Sequence, residues 1–468
     1  MPAARRPAPL QQKKNAIVLG ATLSRWTMSY FAAALIAFLA AELLMTLGYG
    51  YPSAPVESAS TLVLVHLVVL GWLSLLMCGA LFQFVPVLVA RALYSDSLPL
   101  PTLVCLIVGL AALLLGFLQM DGFVSTVFAF FPAAAALLAI GFGLALWNLG
   151  RTLWAARPLP LPARFVVVGL CSLAATVTFG IIFTLVLRGV TDNPHLADVV
   201  ANGVPLHAIA GLGGWLTFTA MGVSYRLLAM FMLAPDLDSS RSRAGFYSGT
   251  AALAVAIGGG VAAICFAASL TLALLAAGLL GLCALVLYGA DMLRLYRARK
   301  RRVIELNSRM AAFAMAGLAA SVILIVALAA LGFFAQHVAA TAFLVAFGWL
   351  SGLGLAKLYK ITAFLTWLEC YGPVLGKTAT PRVQDLAVER RAIRWFFLYF
   401  CAVWAATAAL LLEMPMAFQA CAGLMLIASL GIIVQLVRIR RLLDVGVAMR
   451  LPPGIRMPQL LRCSVQHD

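Results

Sequence analysis

Apolar residues run along this chain in long unbroken stretches, and the charged residues collect in the short segments between them. A helix needs roughly 20 mainly apolar residues to cross a bilayer. Twelve such stretches occur, at about 29–48, 61–90, 99–120, 124–150, 165–187, 204–233, 246–268, 271–293, 310–334, 338–368, 395–413 and 416–437. The second, sixth and tenth exceed the crossing length, so they tilt, kink (near Pro86 in the second) or run on past the membrane. Arg5, Arg6, Lys13, Lys14 and Arg25 precede the first stretch, with no short apolar core ending in a cleavage site, so the start does not read as a secretory signal.

Composition agrees. Of 468 residues, 64% are hydrophobic and 10% charged, and the mean hydropathy is +1.03. A soluble domain carries about 25% charged residues, so this chain would expose far too much apolar surface in water. The formal charge of +17 does not mark a nucleic-acid binder, because the basic residues are scattered between apolar runs with no compact basic domain. Nine cysteines, seven of them inside apolar runs and with no CxxC, exclude a disulfide scaffold. The sequence predicts an all-α integral membrane protein in contact with a lipid bilayer.

The charges orient it. With a cytoplasmic N-terminus and twelve spans, every Lys and Arg except Arg188 falls on or near one face. The opposite face holds Glu57, Asp121, Asp192, Asp198 and Glu413. This is a strong positive-inside bias, and it predicts both termini in the cytoplasm and a bacterial inner-membrane location. The chain divides into a cytoplasmic N-terminal segment 1–28, a membrane domain 29–437 and a basic tail 438–468. Beyond Arg450, Pro452, Pro453 and Pro458 suggest a flexible end.

An internal repeat is legible. Gly71-Trp72-Leu73-Ser74, Gly214-Trp215-Leu216-Thr217 and Gly348-Trp349-Leu350-Ser351 lie in spans two, six and ten. Ten residues after each Trp stands an aromatic followed by a polar or basic residue: Phe82-Gln83, Tyr225-Arg226 and Tyr359-Lys360. The Trp-to-Trp steps are 143 and 134 residues, four spans each. One such small-residue motif is common in membrane helices. Three at this spacing predict three four-helix units around a pseudo-threefold axis.

Twelve helices with this repeat on spans two, six and ten resemble the catalytic subunit of the haem–copper oxidases, and also the NnrS-type haem- and copper-containing membrane proteins. The resemblance spans nearly the whole chain as topology and these three helices as sequence. It implies a low-spin haem held by His on spans two and ten, and copper held from spans six and seven. His66 matches the span-two ligand, and His207 lies on the copper-ligand helix. The departures are His207-Ala-Ile-Ala-Gly211 where oxidases carry a His-Pro-Glu-Val-Tyr-like run, no His in 246–268, and only His337 at the start of span ten. A complete oxygen-reducing centre is therefore not expected.

Four of the five histidines (His66, His195, His207 and His337) fall at the outer face; His467 lies in the tail. Neutral imidazole is the usual haem or copper ligand. His66, His207 and His337 are the candidate cofactor ligands, with Gly211 and Gly214 below His207 as a surface a porphyrin could approach. Met77 and Met221 lie on broadly the same faces, deeper in the membrane, and suit a soft Cu(I) ion. Each has a structural alternative: a His bonded to a backbone carbonyl, a Met in packing, a glycine face against another helix. His195, in Thr191-Asp-Asn-Pro-His, reads as a turn residue.

Glu42 is the clearly intramembrane carboxylate, and Arg226, Lys357 and Lys360 near inner helix ends read as snorkelling groups. No phosphate loop, Ser-His-Asp set or HExxH occurs.

The expected function is haem or copper binding in redox chemistry, nitric-oxide response or metal handling, with a small diatomic gas or an electron-donor protein as partner. The rival is a cofactor-free transporter or scaffold, since fold alone does not give function.

Overall fold

A computed structural model describes residues 25–463 apart from 188, 192, 452 and 454. Arg5, Arg6, Lys13, Lys14, Arg188, Asp192, Pro452 and His467 lie outside the described residues. Among the described residues there is no strand; an isolated bridge joins Leu375 and Thr378.

Among the described residues, twelve helices are long and apolar enough to cross a membrane: α1 Thr27–Thr46, α2 Ala59–Leu88, α3 Pro99–Met120, α4 Phe130–Ala155, α5 Leu161–Leu187, α6 Val204–Met232, α7 Ser240–Cys265, α8 Leu270–Arg297, α9 Leu306–Ala330, α10 Phe334–Val374, α11 Glu389–Leu411 and α12 Pro415–Arg440. This is the number that the apolar pattern predicts, because each helix must satisfy its backbone internally while showing lipid an apolar surface.

The boundaries shift for local reasons. The fourth helix starts at Phe130 rather than 124, because the preceding loop folds onto Gln119, whose Nε2 donates to the Thr126 and Phe128 carbonyls. Where serine precedes a helix it caps it: Ser58, Ser239 and Ser269 accept from Thr61 N, Ser242 N and Leu272 N. Thr191 to His195 is more than a turn. Asn193 caps a short helix, Pro194–Asn202, by accepting from His195 N and Leu196 N.

Burial ranks the helices. In α2, α6 and α10, 61%, 67% and 72% of the most apolar stretch is buried, against 11–50% in the other nine. These three form the centre. Around them α1 packs on α2 and α12, α11 on α12, α3 on α4, α4 on α5, α5 on α6, α7 on α8 and α9 on α10. The peripheral α8 turns Leu272, Leu275, Leu279 and Val286 outward, as a lipid-facing helix does.

The extra length of the central helices is taken up by backbone rather than by tilt alone. Each contains a π-helical segment, Leu67–Ser74, Ile209–Phe218 and Leu344–Ser351, and each segment contains one copy of the Gly-Trp-Leu-Ser/Thr motif. A π turn inserts a residue into the helical ladder and often marks a functional region.

The end of the chain is less free than its prolines suggest. Arg440, buried in α12, pairs with Glu369 at 2.8 Å and donates to the Thr366 hydroxyl and to the Gln459 and Arg462 carbonyls. Ser29 donates to the Leu461 carbonyl and Cys463 N to the Arg25 carbonyl, so the described end lies against the bundle.

Candidate functional site

The three π segments touch one another, and their tryptophans fill the junction; Trp72, Trp215 and Trp349 are 0–1% exposed. Two links of a cycle are made. Trp72 Nε1 donates to Ser351 Oγ at 2.8 Å, and Trp215 Nε1 donates to Ser74 Oγ at 3.0 Å. Each tryptophan thus bonds to the hydroxyl that stands two residues past the tryptophan of another copy. The third link, Trp349 to Thr217, is not made; Trp349 Nε1 is buried without a partner. Ser351 Oγ also donates to the Ala346 carbonyl, five residues back, and Phe38 of α1 stacks on Trp72 at 4.4 Å. This junction makes packing around the motif the role of the tryptophans.

On the N-terminal side of the junction lie the histidines. His66 stands six residues before Trp72 and His207 eight before Trp215, or about 9 and 12 Å along their helices. His66 Nδ1 bonds to the Leu62 carbonyl at 2.8 Å, and the ring packs on Phe117 at 5.0 Å. A carbonyl can only accept, so Nδ1 carries the proton and Nε2 keeps its lone pair. His207 sits against Phe183 and Phe179, with ring centroids 5.4 and 6.4 Å away, and its Nδ1 is buried without a hydrogen bond. The two imidazoles are within electrostatic reach of each other.

The other candidates are placed apart from this pair. His337 stands twelve residues before Trp349, farther out, where the helix breaks (φ −111°, ψ 18°). Met77 stands eleven residues beyond His66, and Met221 fourteen beyond His207, which puts each about 16–21 Å away on the other side of the tryptophans. The methionines therefore do not join the histidines in one metal site. Among the described residues, no three His, Cys, Asp or Glu side chains gather as a metal-binding group.

The glycine face is filled. A Cβ on Gly211 would stand 3.4 Å from Thr176 Cγ2, and one on Gly214 would strike Ser172, so α5 lies where a porphyrin would approach. Small residues there bring helices together.

Beyond the junction, α2, α6 and α10, with Phe31 of α1, line a partly open cavity of about 80 Å³. Leu73, Leu216 and Leu350, the leucines of the three motif copies, line it, with Met77, Ser224 and Lys357 among its other residues. Lys357 does not snorkel. It is 7% exposed, its Nζ has no hydrogen bond, and its nearest recorded π partner is the Phe231 ring at 5.6 Å. Lys360 and Arg226 lie farther along and are paired, with Glu305 at 2.7 Å and Asp236 at 2.8 Å. Arg301 also pairs with Glu305.

Glu42 is fully buried, and Ser429 Oγ donates to its Oε1 at 2.9 Å; its Oε2 makes no hydrogen bond. At the other end of the bundle, ten residues past Trp215, Tyr225 OH donates to the buried Asp291 at 3.0 Å. Sequence reading singled out the histidines, the methionines and Glu42 but missed the cavity. Its signal was available in the aligned repeat, where Lys357 stands opposite Ala80 and Val223.

A scan against protein-family models finds no match to this chain, and a search of curated proteins finds none either.

Proposed function

We propose that this chain is a metal-binding redox or metal-handling protein of a bacterial cytoplasmic membrane, with both termini in the cytoplasm. In this reading it has a haem–copper oxidase-like shell of three four-helix units, α11-α12-α1-α2, α3 to α6 and α7 to α10, around a pseudo-threefold axis through the tryptophan junction. The shared π turn of the three motif copies and the two Trp-to-Ser bonds that run the same way round between them support that arrangement.

One observation carries the functional reading: two imidazoles at the same end of the central helices, one with Nε2 free and fixed in tautomer by a carbonyl, the other with an unpartnered Nδ1. A ring nitrogen held by a backbone carbonyl is the usual outer-shell arrangement of a ligating His. The pair suits copper, for which imidazole is a good ligand. Haem fits less well, because Thr176 and Ser172 of α5 cover the glycine face beneath His207. Bound copper would supply one-electron chemistry or a carried ion. The chain's own part is to present His66 Nε2 and a His207 nitrogen from rigid helices, and to exclude water with Phe117, Phe179 and Phe183.

The test is metal analysis of the detergent-purified protein, expressed with copper and haem supplied, with absorption spectra of the oxidised and dithionite-reduced sample. Near-stoichiometric copper that is lost in His66→Ala and His207→Ala supports the reading. A Soret band lost in the same variants replaces copper by haem at the same residues. A His66→Ala/His207→Ala protein that retains full cofactor content refutes the site. Neither metal in well-folded protein favours the cofactor-free transporter.

A further inference from the structure

We propose that the cavity on the axis of α2, α6 and α10 binds a small monovalent anion, with the Lys357 ammonium as its counter-charge. The inference does not depend on the histidine pair, which lies on the other side of the tryptophan junction.

Register is the first argument. Counted from the tryptophan of each motif copy, position +1 is Leu73, Leu216 and Leu350, and all three line the cavity. Position +8 is Ala80, Val223 and Lys357, and all three line it again. The three helices thus present equivalent positions to one space. At the position where two copies carry small apolar groups, the third carries an amine. A residue that only packed the axis would be apolar in all three copies.

Electrostatics is the second. Lys357 is more than nine-tenths buried, and its Nζ makes no hydrogen bond. An unpaired ammonium in an apolar interior is costly, and intramembrane charges pair with something. The carboxylates at this end of the bundle are engaged elsewhere: Glu305 with Lys360 and Arg301, Asp236 with Arg226, and Asp291 with the Tyr225 hydroxyl. The face of Phe231 is shared by Lys357 and Lys360, at 5.6 and 5.7 Å, and supplies only a partial negative charge. The counter-charge that Lys357 lacks within the chain is supplied by a ligand.

Size is the third. A cavity of about 80 Å³ compares with about 30 Å³ for one water in the liquid. It holds a halide or an anion of three or four heavy atoms, such as formate. Lys360 and Arg301 share the one carboxylate of Glu305 farther along, which leaves a single net positive charge toward that end.

The experiment is equilibrium dialysis of radiolabelled formate against the full-length protein in detergent, with bromide as competitor. Wild type is expected to show one saturable site per chain that bromide displaces. Lys357→Met keeps the length of the side chain and suits the apolar walls, so it should fold at least as well as wild type while weakening formate by about tenfold or more, the loss expected when a charge-assisted contact is removed. Ala80→Leu leaves the amine in place and fills the space, and should weaken binding by the same order. His66→Ala and His207→Ala should keep one saturable formate site per chain. Equal binding by wild type and monodisperse Lys357→Met overturns the proposal, as does the absence of saturable binding in folded wild type. Binding lost in the histidine variants but kept in Lys357→Met also overturns it, and moves the anion to the histidine pair.

Discussion

The three tryptophans at the junction occupy equivalent places but not equivalent bonds, and replacing each by phenylalanine should expose the difference. All three side chains are 0–1% exposed, so each substitution removes comparable buried apolar surface and leaves a comparable gap. That shared loss is about 1–2 kcal/mol. What differs is the indole N–H. Trp72→Phe removes a donor to Ser351 Oγ at 2.8 Å, and Trp215→Phe a donor to Ser74 Oγ at 3.0 Å. Hydrogen bonds between membrane helices contribute about 0.6 kcal/mol on average, with a maximum near 1.7. Trp349→Phe removes an N–H that has no partner, which relieves a penalty of about 1–3 kcal/mol.

The two effects act in opposite directions, so Trp349→Phe should be the mildest of the three, by about 1.6–4.7 kcal/mol relative to Trp72→Phe. Thermal unfolding in one detergent, followed by far-UV circular dichroism, gives the ranking without assuming two-state behaviour. Double-mutant cycles sharpen it. Trp72→Phe with Ser351→Ala, and Trp215→Phe with Ser74→Ala, should each show coupling of about 0.6–1.7 kcal/mol. Trp349→Phe with Thr217→Val should show none. If Trp349→Phe is as destabilising as Trp72→Phe, or couples to Thr217, the cycle is closed in the membrane-embedded protein and the asymmetry argued here is wrong.

Two further outcomes follow from close contacts. A Cβ on Gly317 of α9 would stand 2.9 Å from the Gly348 carbonyl carbon and oxygen in α10, backbone that cannot swing aside. Gly317→Ala should therefore cost about 1–3 kcal/mol, whereas Gly278→Ala, with nothing within 4 Å, should be neutral or slightly stabilising; equal melting temperatures for the two would count against the α9–α10 approach. Beyond α12, burial pushes the Asp444 carboxyl up, but hydrogen bonds and charge from Arg438 and Arg391 outweigh it and hold the group below the usual carboxylate range. The unfolded chain then takes up the proton first as pH falls, so the contribution is full above about pH 4 and is lost as pH drops through the folded value. Asp444→Asn should lower stability by about 1 kcal/mol at neutral pH, since both arginines are partly exposed, and the gap to wild type should close below about pH 4. A gap that changes between pH 6 and 8 would assign it to another group.

The number of spans was legible because the bilayer imposes one requirement on every helix, a long apolar run, and that requirement is written in composition. Helix ends were less so. α8 runs to Arg297 and α11 starts at Glu389, past the apolar stretch at 271–293 and before the one at 395–413, because Arg and Glu are good helix formers that continue the coil into the headgroup region. The motif copies were readable as a repeat, but not as π turns, since a shift of the backbone ladder leaves no signature in residue type. Depth could be counted along a helix while azimuth could not. Lys357 was therefore assigned to the headgroups although it faces the axis; for Met77 and Met221, counting already put them deeper than the histidines whose faces they were read as sharing. Gly211 and Gly214 admit a helix as readily as a flat ring, and only Thr176 and Ser172 on α5 decide which.

The junction has a consequence for how the two proposed sites relate. His66 lies about 9 Å before Trp72, and Lys357, eight residues past Trp349, about 12 Å beyond the same level. The imidazole pair and the amine are thus separated by roughly 20 Å along the axis, with three buried indoles and the Phe38 ring between them. No direct contact or shared ligand can join them. An effect of the anion on the histidine pair would have to pass through movement of the central helices against one another, and the bonds resisting that movement are Trp72 to Ser351 and Trp215 to Ser74. The α10–α6 side has no such bond, because Trp349 Nε1 is unpaired. Since Lys357 is on α10 and His207 on α6, that unbonded side is where the axis can give most easily. Formate should then alter copper content or spectrum through α6, and Ser351→Ala, which frees the second α10 contact, should enlarge the effect. A metal spectrum unmoved by saturating formate in both wild type and Ser351→Ala would make the two halves independent, with the tryptophan junction as a wall between them.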